Sequence, residues 1–418
     1  MTEQLLQYIW QFRYFNQHEL FTTDGETVQV IATGTLNKNQ GPDFLKANIK
    51  IGNTTWIGNV ELHINSSQWI DHGHSGDSNY NNIILHVVWE NDQQLALAFP
   101  VLELKDKVSS ILLNRYQQLM NNTAFIPCEK NIHLADELTW IKWKERLLVE
   151  RLHEKSMVAL QYFEESNHHW EETFWWLIAK NFGTKVNGEA FEKITRSIPI
   201  NILAKNKNQI HQLEAILLGQ AGMLNGDYED YYVVMLQKEY NYLQKKYKLV
   251  PIDINIHQLR MRPSNFPAVR LAQLAMLVHN SNHLFSKIIA LDDLKTLKEL
   301  LNITANDFWN YHYVLVEESD FKPKKLGTQM VDNIIINTIA PMLFAYAEHT
   351  GDNQYKLKAL KWLELIVAEK NFIIKGFSSL GVTAKTAFDS QALIQLKNKY
   401  CDNKRCLECA IANKILKG

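Results

Sequence analysis

The chain has 418 residues, 46% of them hydrophobic and 21% charged, the composition of a globular protein with a sizeable core and room for two or three domains. A formal net charge of −1 excludes a generally basic nucleic-acid-coating protein, yet residues 1–104 carry four Lys/Arg against eleven Asp/Glu and residues 375–418 carry eight against three, so an acidic module precedes a basic tail. No run of about eighteen apolar residues is present and the start, MTEQLLQYIWQF, lacks a signal peptide's basic end and cleavage site, so no membrane span and a cytoplasmic location are expected.

In chain order, Leu5, Ile9, Phe12 and Leu20 sit at helical spacing and predict a first helix over residues 2–20, ending near Asp24-Gly25. TVQVIATG alternates and is β-branched, which predicts a strand over 27–33. GTLNKNQGP is a loop by its Gly, Asn and Pro content. FLKANIKIG alternates at Phe44, Ala47, Ile49 and Ile51 with one slip, and TTWIGNVELHI gives a third strand, from Thr55 to Ile64. A polar, turn-rich crossover follows, SSQWIDHGHSGDSNYNN, and then two more strands, IILHVVWE and LALAFPVLEL. KVSSILLNRYQQLMN returns to helical period. From about residue 134 the pattern is helical to the end, with HHWEETFWWL reading as core. The expected fold class is α+β: an N-terminal α/β module with a central mixed sheet over residues 1–130, and a large all-helical domain over 131–418.

Chemistry concentrates between Asn39 and Glu90. Asp43 follows Gly41-Pro42 at the start of a strand, and Glu61 lies about two-thirds along the next. If those strands pair, the two carboxylates approach one point and repel unless a divalent cation sits between them. Oxygen ligands suit Mg²⁺ or Mn²⁺. His63 is two residues beyond Glu61 on the same strand face and can position or deprotonate a water. Glu19 is a further acidic candidate. A helix with a Glu, then a strand opened by Pro42-Asp43, then Glu61-Leu62-His63 resembles the PD-(D/E)XK nuclease superfamily, over roughly residues 5–100. The resemblance implies a restriction-endonuclease-like fold, Asp43 and Glu61 as Mg²⁺ ligands, His63 where the family has lysine, and hydrolysis of DNA phosphodiesters. It matches Tyr80 to a tyrosine of a downstream helix. With histidine in place of lysine, a non-catalytic scaffold that binds nucleic acid or protein is the rival expectation. The words GPDF, VELH and HVVWEND also resemble those of an uncharacterised bacterial family.

Two further readings of this stretch stay open. His63, His72, His74, Asp77 and His86 could ligate Zn²⁺ or another transition metal. They could equally be surface-loop histidines and a core His86. Elsewhere, Cys401-x4-Cys406-x2-Cys409 can face one metal with Cys128 as a fourth ligand, either Zn²⁺ or an iron–sulfur cluster. If Cys128 completes that site, the C-terminus folds back onto the first module. This partly resembles the four-Cys iron–sulfur staple of some nucleases of the same superfamily, although there the lone Cys precedes the nuclease core. Arg260, Arg262 and Arg270 surround a Pro-bounded turn before a helix, a phosphate-binding arrangement if Ser264 or Asn265 caps it. A capped helix with solvated arginines is the alternative. The loop FKPKKLG (321–327) adds a basic contact for a DNA backbone.

Overall fold

The computed structural model describes residues 1–73, 77–258, 262–281 and 283–417. It is a mixed α+β protein of two compact units: Met1–Trp143 with Leu396–Gly418, and Lys144–Gln395. The helical unit is thus inserted between two segments of the first.

The first unit begins with helix α1 (Glu3–Phe12), whose N-cap Thr2 hydroxyl accepts from the Leu5 N–H at 3.2 Å. Leu5, Leu6, Ile9 and Trp10 form its buried face. The helix stops well short of residue 20. Arg13 adopts a left-handed conformation (φ 55°) and returns its N–H to the Ile9 and Trp10 carbonyls, a C-cap that ends the helical ladder. Phe15 then doubles back to stack on Trp10, with centroids 5.7 Å apart, and Tyr14 packs on Tyr8. The aromatic residues that prolong the helical pattern are buried by reversal, not by further turns.

Seven strands follow: β1 (Leu20–Phe21), β2 (Thr27–Ala32), β3 (Thr35–Leu36), β4 (Phe44–Ile51), β5 (Thr54–Asn65), β6 (Ile83–Glu90) and β7 (Val101–Glu103). They form one sheet in the order β1-β2-β4-β5-β6-β7, with β3 beside β4. The pairings up to β5 are antiparallel, whereas β5-β6 and β6-β7 are parallel, so the sheet is mixed. The slip in FLKANIKIG is a β-bulge. Phe44 pairs with Val60 but Ala47 with Gly58, and Lys46 between them is left-handed (φ 58°). The bulge keeps Ala47, Ile49 and Ile51 buried with Phe44.

Parallel pairing of β6 and β7 needs a crossover, and residues 91–100 supply it. Of the strand predicted in LALAFPVLEL, only Val101–Glu103 joins the ladder. Leu95, Leu97 and Phe99 keep their alternation, half-buried, without it. The crossover between β5 and β6 carries the short helix α2 (Gln68–Asp71) and a 3-10 turn, Ser78–Tyr80. Helix α3 (Ser110–Asn121) comes after β7.

The second unit holds most of α4 (Glu137–Glu165) and the helices that follow it up to Gln395. Trp309, Trp362, Phe174, Phe182, Phe191, Phe285 and Phe344 fill its core. Trp175 and Trp176 are buried on the helix Trp170–Phe182, as their spacing predicts. The helix Thr328–Thr350 is long and apolar enough, by length and composition, to cross a membrane, but 72% of its apolar window is buried within the protein, which is how a core helix behaves.

Candidate functional site

The β4-β5 register sets the site. Phe44 opposes Val60, so Asp43 and Glu61 meet one step further on, where Pro42 ends the strand. Each carboxylate takes a backbone N–H from the other strand: Asp43 N–H donates to Glu61 Oε2 at 3.0 Å, and Leu62 N–H to Asp43 Oδ2 at 2.9 Å. Gln7 Nε2, on α1, donates to the other Asp43 oxygen at 2.8 Å.

Glu61 is 5% exposed. Burial, and then the Asp43 charge, push its carboxyl from 4.5 up to about 8. Burial raises Asp43 to about 6, opposed by the Leu62 N–H and Gln7 and reinforced by Glu3. Glu3, on the first turn of α1, acts on both carboxyls. It is the acidic group of the first helix that faces this site. Glu19 lies beyond the helix end, exposed, at a left-handed position (φ 53°) just before β1. Glu3 and Gln7 are four residues apart on one helix face, and that spacing, read together with the Thr2 cap, is the signal that would have singled them out.

Behind the carboxylates lies a chain of imidazoles. His63 Nδ1 is 2.8 Å from His86 Nε2, and its Nε2 is 3.1 Å from His72 Nδ1 and 3.7 Å from Glu61 Oε1. His86 and His63 are buried, while His72 is exposed, so the chain runs from the sheet interior to solvent. Trp69 on α2 packs its ring against His86, His63, Tyr80 and Phe99, which fixes the crossover over the strands. Tyr80 faces the carboxylates. Burial, then Glu61 and Asp43, raise its phenol to about 12. Asp77 caps the turn that carries Tyr80, accepting from the Asn79 N–H at 2.9 Å. His74 lies outside the described residues.

The other candidates are not brought to this point. Arg270 is 6% exposed, and its guanidinium donates to Gln273 Oε1 at 3.0 Å and Asn265 Oδ1 at 2.6 Å. Asn265 therefore holds an arginine instead of capping the helix Pro267–Asn280, whose N-cap position is Phe266. Arg262 is exposed, and Arg260 lies outside the described residues. Lys324, in the basic loop, is turned inward onto the Asn310 and Lys322 carbonyls. Cys128, Cys401, Cys406 and Cys409 all belong to the first unit. Among the described residues, no group of three or more His, Cys, Asp or Glu side chains is placed so that it could hold a metal ion as it stands.

The family described as "Protein of unknown function (DUF2851)" matches residues 3–372, and the chain is a member of it. No curated protein and no solved structure matches the chain.

Proposed function

We propose that the first unit is a metal-dependent hydrolase of DNA phosphodiester bonds, of the PD-(D/E)XK nuclease kind. The observation that carries this reading is the meeting of Asp43 and Glu61 across the β4-β5 register, with Glu3 acting on both and His63 next to Glu61. Three carboxylates offer hard oxygen donors, the donor set that Mg²⁺ or Mn²⁺ takes. Asp43 and Glu61 would hold the ion, with Glu3 adding charge; the bound ion polarises a phosphoryl oxygen and acidifies a water.

The protein's own groups supply the rest. His63 stands where the resembling family uses lysine, and its Nε2, 3.7 Å from Glu61 Oε1 and 3.1 Å from His72 Nδ1, is the imidazole atom placed to take a proton from that water. His72 passes that proton to solvent. Tyr80, protonated at neutral pH, donates a hydrogen bond to a phosphate oxygen. Arg262, exposed where Arg270 is buried, would meet a DNA backbone.

A second reading, a non-catalytic nuclease-like scaffold that binds nucleic acid or protein, is favoured by one observation: Glu61 and His63 are 5% and 1% exposed. Incubation of the full chain with single-stranded and duplex DNA, with Mg²⁺ or Mn²⁺, separates the two. The hydrolase reading expects cleavage that needs the ion and disappears in Asp43→Asn and Glu61→Gln. A well-folded protein that cleaves neither substrate with either ion establishes the scaffold instead.

A further inference from the structure

The cysteine cluster takes no part in that chemistry. Its four members come from two ends of the first unit, Cys128 after α3 and the others from the returning segment Leu396–Gly418. Electrostatic repulsion links all four: Cys128 with Cys406 and Cys409, Cys401 with the other three, and Cys406 with Cys409. Cys128, Cys406 and Cys409 are buried, Cys401 is half-buried, and none is in a disulfide.

The local backbone is shaped to present these sulfurs. Cys401 ends a helical turn, Leu396–Cys401. The chain then reverses through Lys404 (φ 51°), with Lys404 N–H donating to the Cys401 carbonyl at 3.1 Å and Arg405 N–H to Tyr400 at 2.9 Å. Cys406 starts the 3-10 turn Cys406–Glu408 and Cys409 follows it, its N–H returning to the Cys406 carbonyl at 3.2 Å. Burial pushes the Cys409 thiol up to about 11, and the N–H groups of Ala412 and Ile411, directed at its sulfur, oppose that rise. N–H donors aimed at sulfur stabilise a thiolate more than a thiol. Lys397 and Lys404 stand beside Cys401 and Cys406, offsetting the surplus negative charge that four thiolates around a metal carry.

We infer that Cys128, Cys401, Cys406 and Cys409 hold one thiophilic metal centre, Zn²⁺ or an iron–sulfur cluster, that fastens the end of the chain to the N-terminal module. The sulfurs are not already gathered as ligands, so binding requires the cysteine side chains to turn about their Cα–Cβ bonds. The C-terminal helix Ala410–Lys417 packs on α3 and on the 3-10 turn Glu129–Leu134 that Cys128 opens. Arg115 donates to the Ile415 and Leu416 carbonyls at 3.4 Å, and Lys414 pairs with Asp136 at 2.8 Å. Four sulfurs with a Cys-x2-Cys pair suit either metal. The centre needs no contribution from the carboxylate site, so it stands or falls separately from the proposed hydrolysis.

The test uses the full chain purified without chelators. Metal analysis is expected to find either about one Zn per chain with no visible colour, or about four Fe with a broad thiolate-to-iron absorption. After metal removal under reducing conditions, titration with Co²⁺ as a probe is expected to give the intense bands of tetrahedral four-sulfur ligation. Cys401→Ser with Cys406→Ser abolishes them, and limited proteolysis then releases the 396–418 segment at least about tenfold faster. Because those variants can misfold, the same proteolysis is run on unsubstituted protein before and after metal removal and after Zn²⁺ is restored, where protection returns. The inference is overturned if the protein carries no metal and the reduced chain binds neither Zn²⁺ nor Co²⁺. It is equally overturned if thiol counting under denaturing, non-reducing conditions shows the four cysteines joined as disulfides.

Discussion

Glu61→Gln is the most informative perturbation. The substitution keeps the shape of the side chain and an oxygen to accept the Asp43 N–H, but removes the group that ionises. In the folded protein the Glu61 carboxyl is held at about 8, against 4.5 when exposed. Its unfolded form therefore loses a proton near pH 4.5 and its folded form only near pH 8. Between those values the folded state binds more protons, so stability falls as pH rises through this window and levels off above it. The full displacement corresponds to a ceiling of about 5 kcal/mol. Wild-type protein should lose stability relative to Glu61→Gln between pH 4.5 and 8, by no more than that ceiling. Added Mg²⁺ or Mn²⁺ should restore wild-type stability at pH 8 far more than at pH 5, and should do little for the variant. Hydrogen exchange of the β4 and β5 amides reads the first unit directly, beside urea denaturation of the whole chain. Parallel pH profiles for the two proteins, or equal stabilisation of both by the ion, would refute the reasoning.

Glu3→Gln should raise the Mg²⁺ concentration needed for DNA cleavage about tenfold, while Glu19→Gln leaves it unchanged; a metal titration of both variants checks which acid belongs to the site. His72→Asn should leave stability within about 0.5 kcal/mol and lower the cleavage rate about 10- to 100-fold, measured as a pH–rate profile in which the histidine limb shifts. In the second unit, Glu214 is fully buried, accepting from Tyr232 Oη at 2.8 Å, Asn306 Nδ2 at 2.7 Å and Trp309 Nε1 at 3.1 Å, and burial lifts it to about 7. Stability should fall between pH 4.5 and 7 by up to about 3 kcal/mol, and Glu214→Gln should flatten that slope in denaturation curves. A Cβ on Gly58 would lie 2.3 Å from Ile84 Cγ2 and 2.8 Å from the Asn82 carbonyl. Gly58→Ala should therefore cost about 1–3 kcal/mol and disturb β6, which carries His86; a thermal melt and the cleavage assay report the two effects.

Local patterns in the sequence carried much of the first unit. Alternation marked β2, β4 and β5, a short apolar run marked β6, and the slip that proved to be the β4 bulge was visible as a break in the alternation. Pro42-Asp43 and Glu61-Leu62-His63 lie on neighbouring strands of short connection, so one hairpin register was enough to bring them together. The spacing of Cys401, Cys406 and Cys409 pointed to one site because a few residues of turn fix their separation. These features rest on interactions within a few residues or one tight turn, and such interactions leave a pattern in the chain.

Tertiary structure decided the rest. The length of α1 depended on Phe15 and Tyr14 turning back onto Trp10 and Tyr8, and that put Glu3, not Glu19, beside Asp43. Arg270 was drawn inside because Asn265 and Gln273 offered it oxygens in a space that closes only when the helices pack. The line from His86 through His63 to His72 joins two parallel strands and the crossover between them. Cys128 reached the other cysteines only because the end of the chain returned to the first unit. Each of these contacts joins groups from elements that meet only on packing, where burial and hydrogen-bond satisfaction outweigh local propensity, and no periodicity in the chain records them.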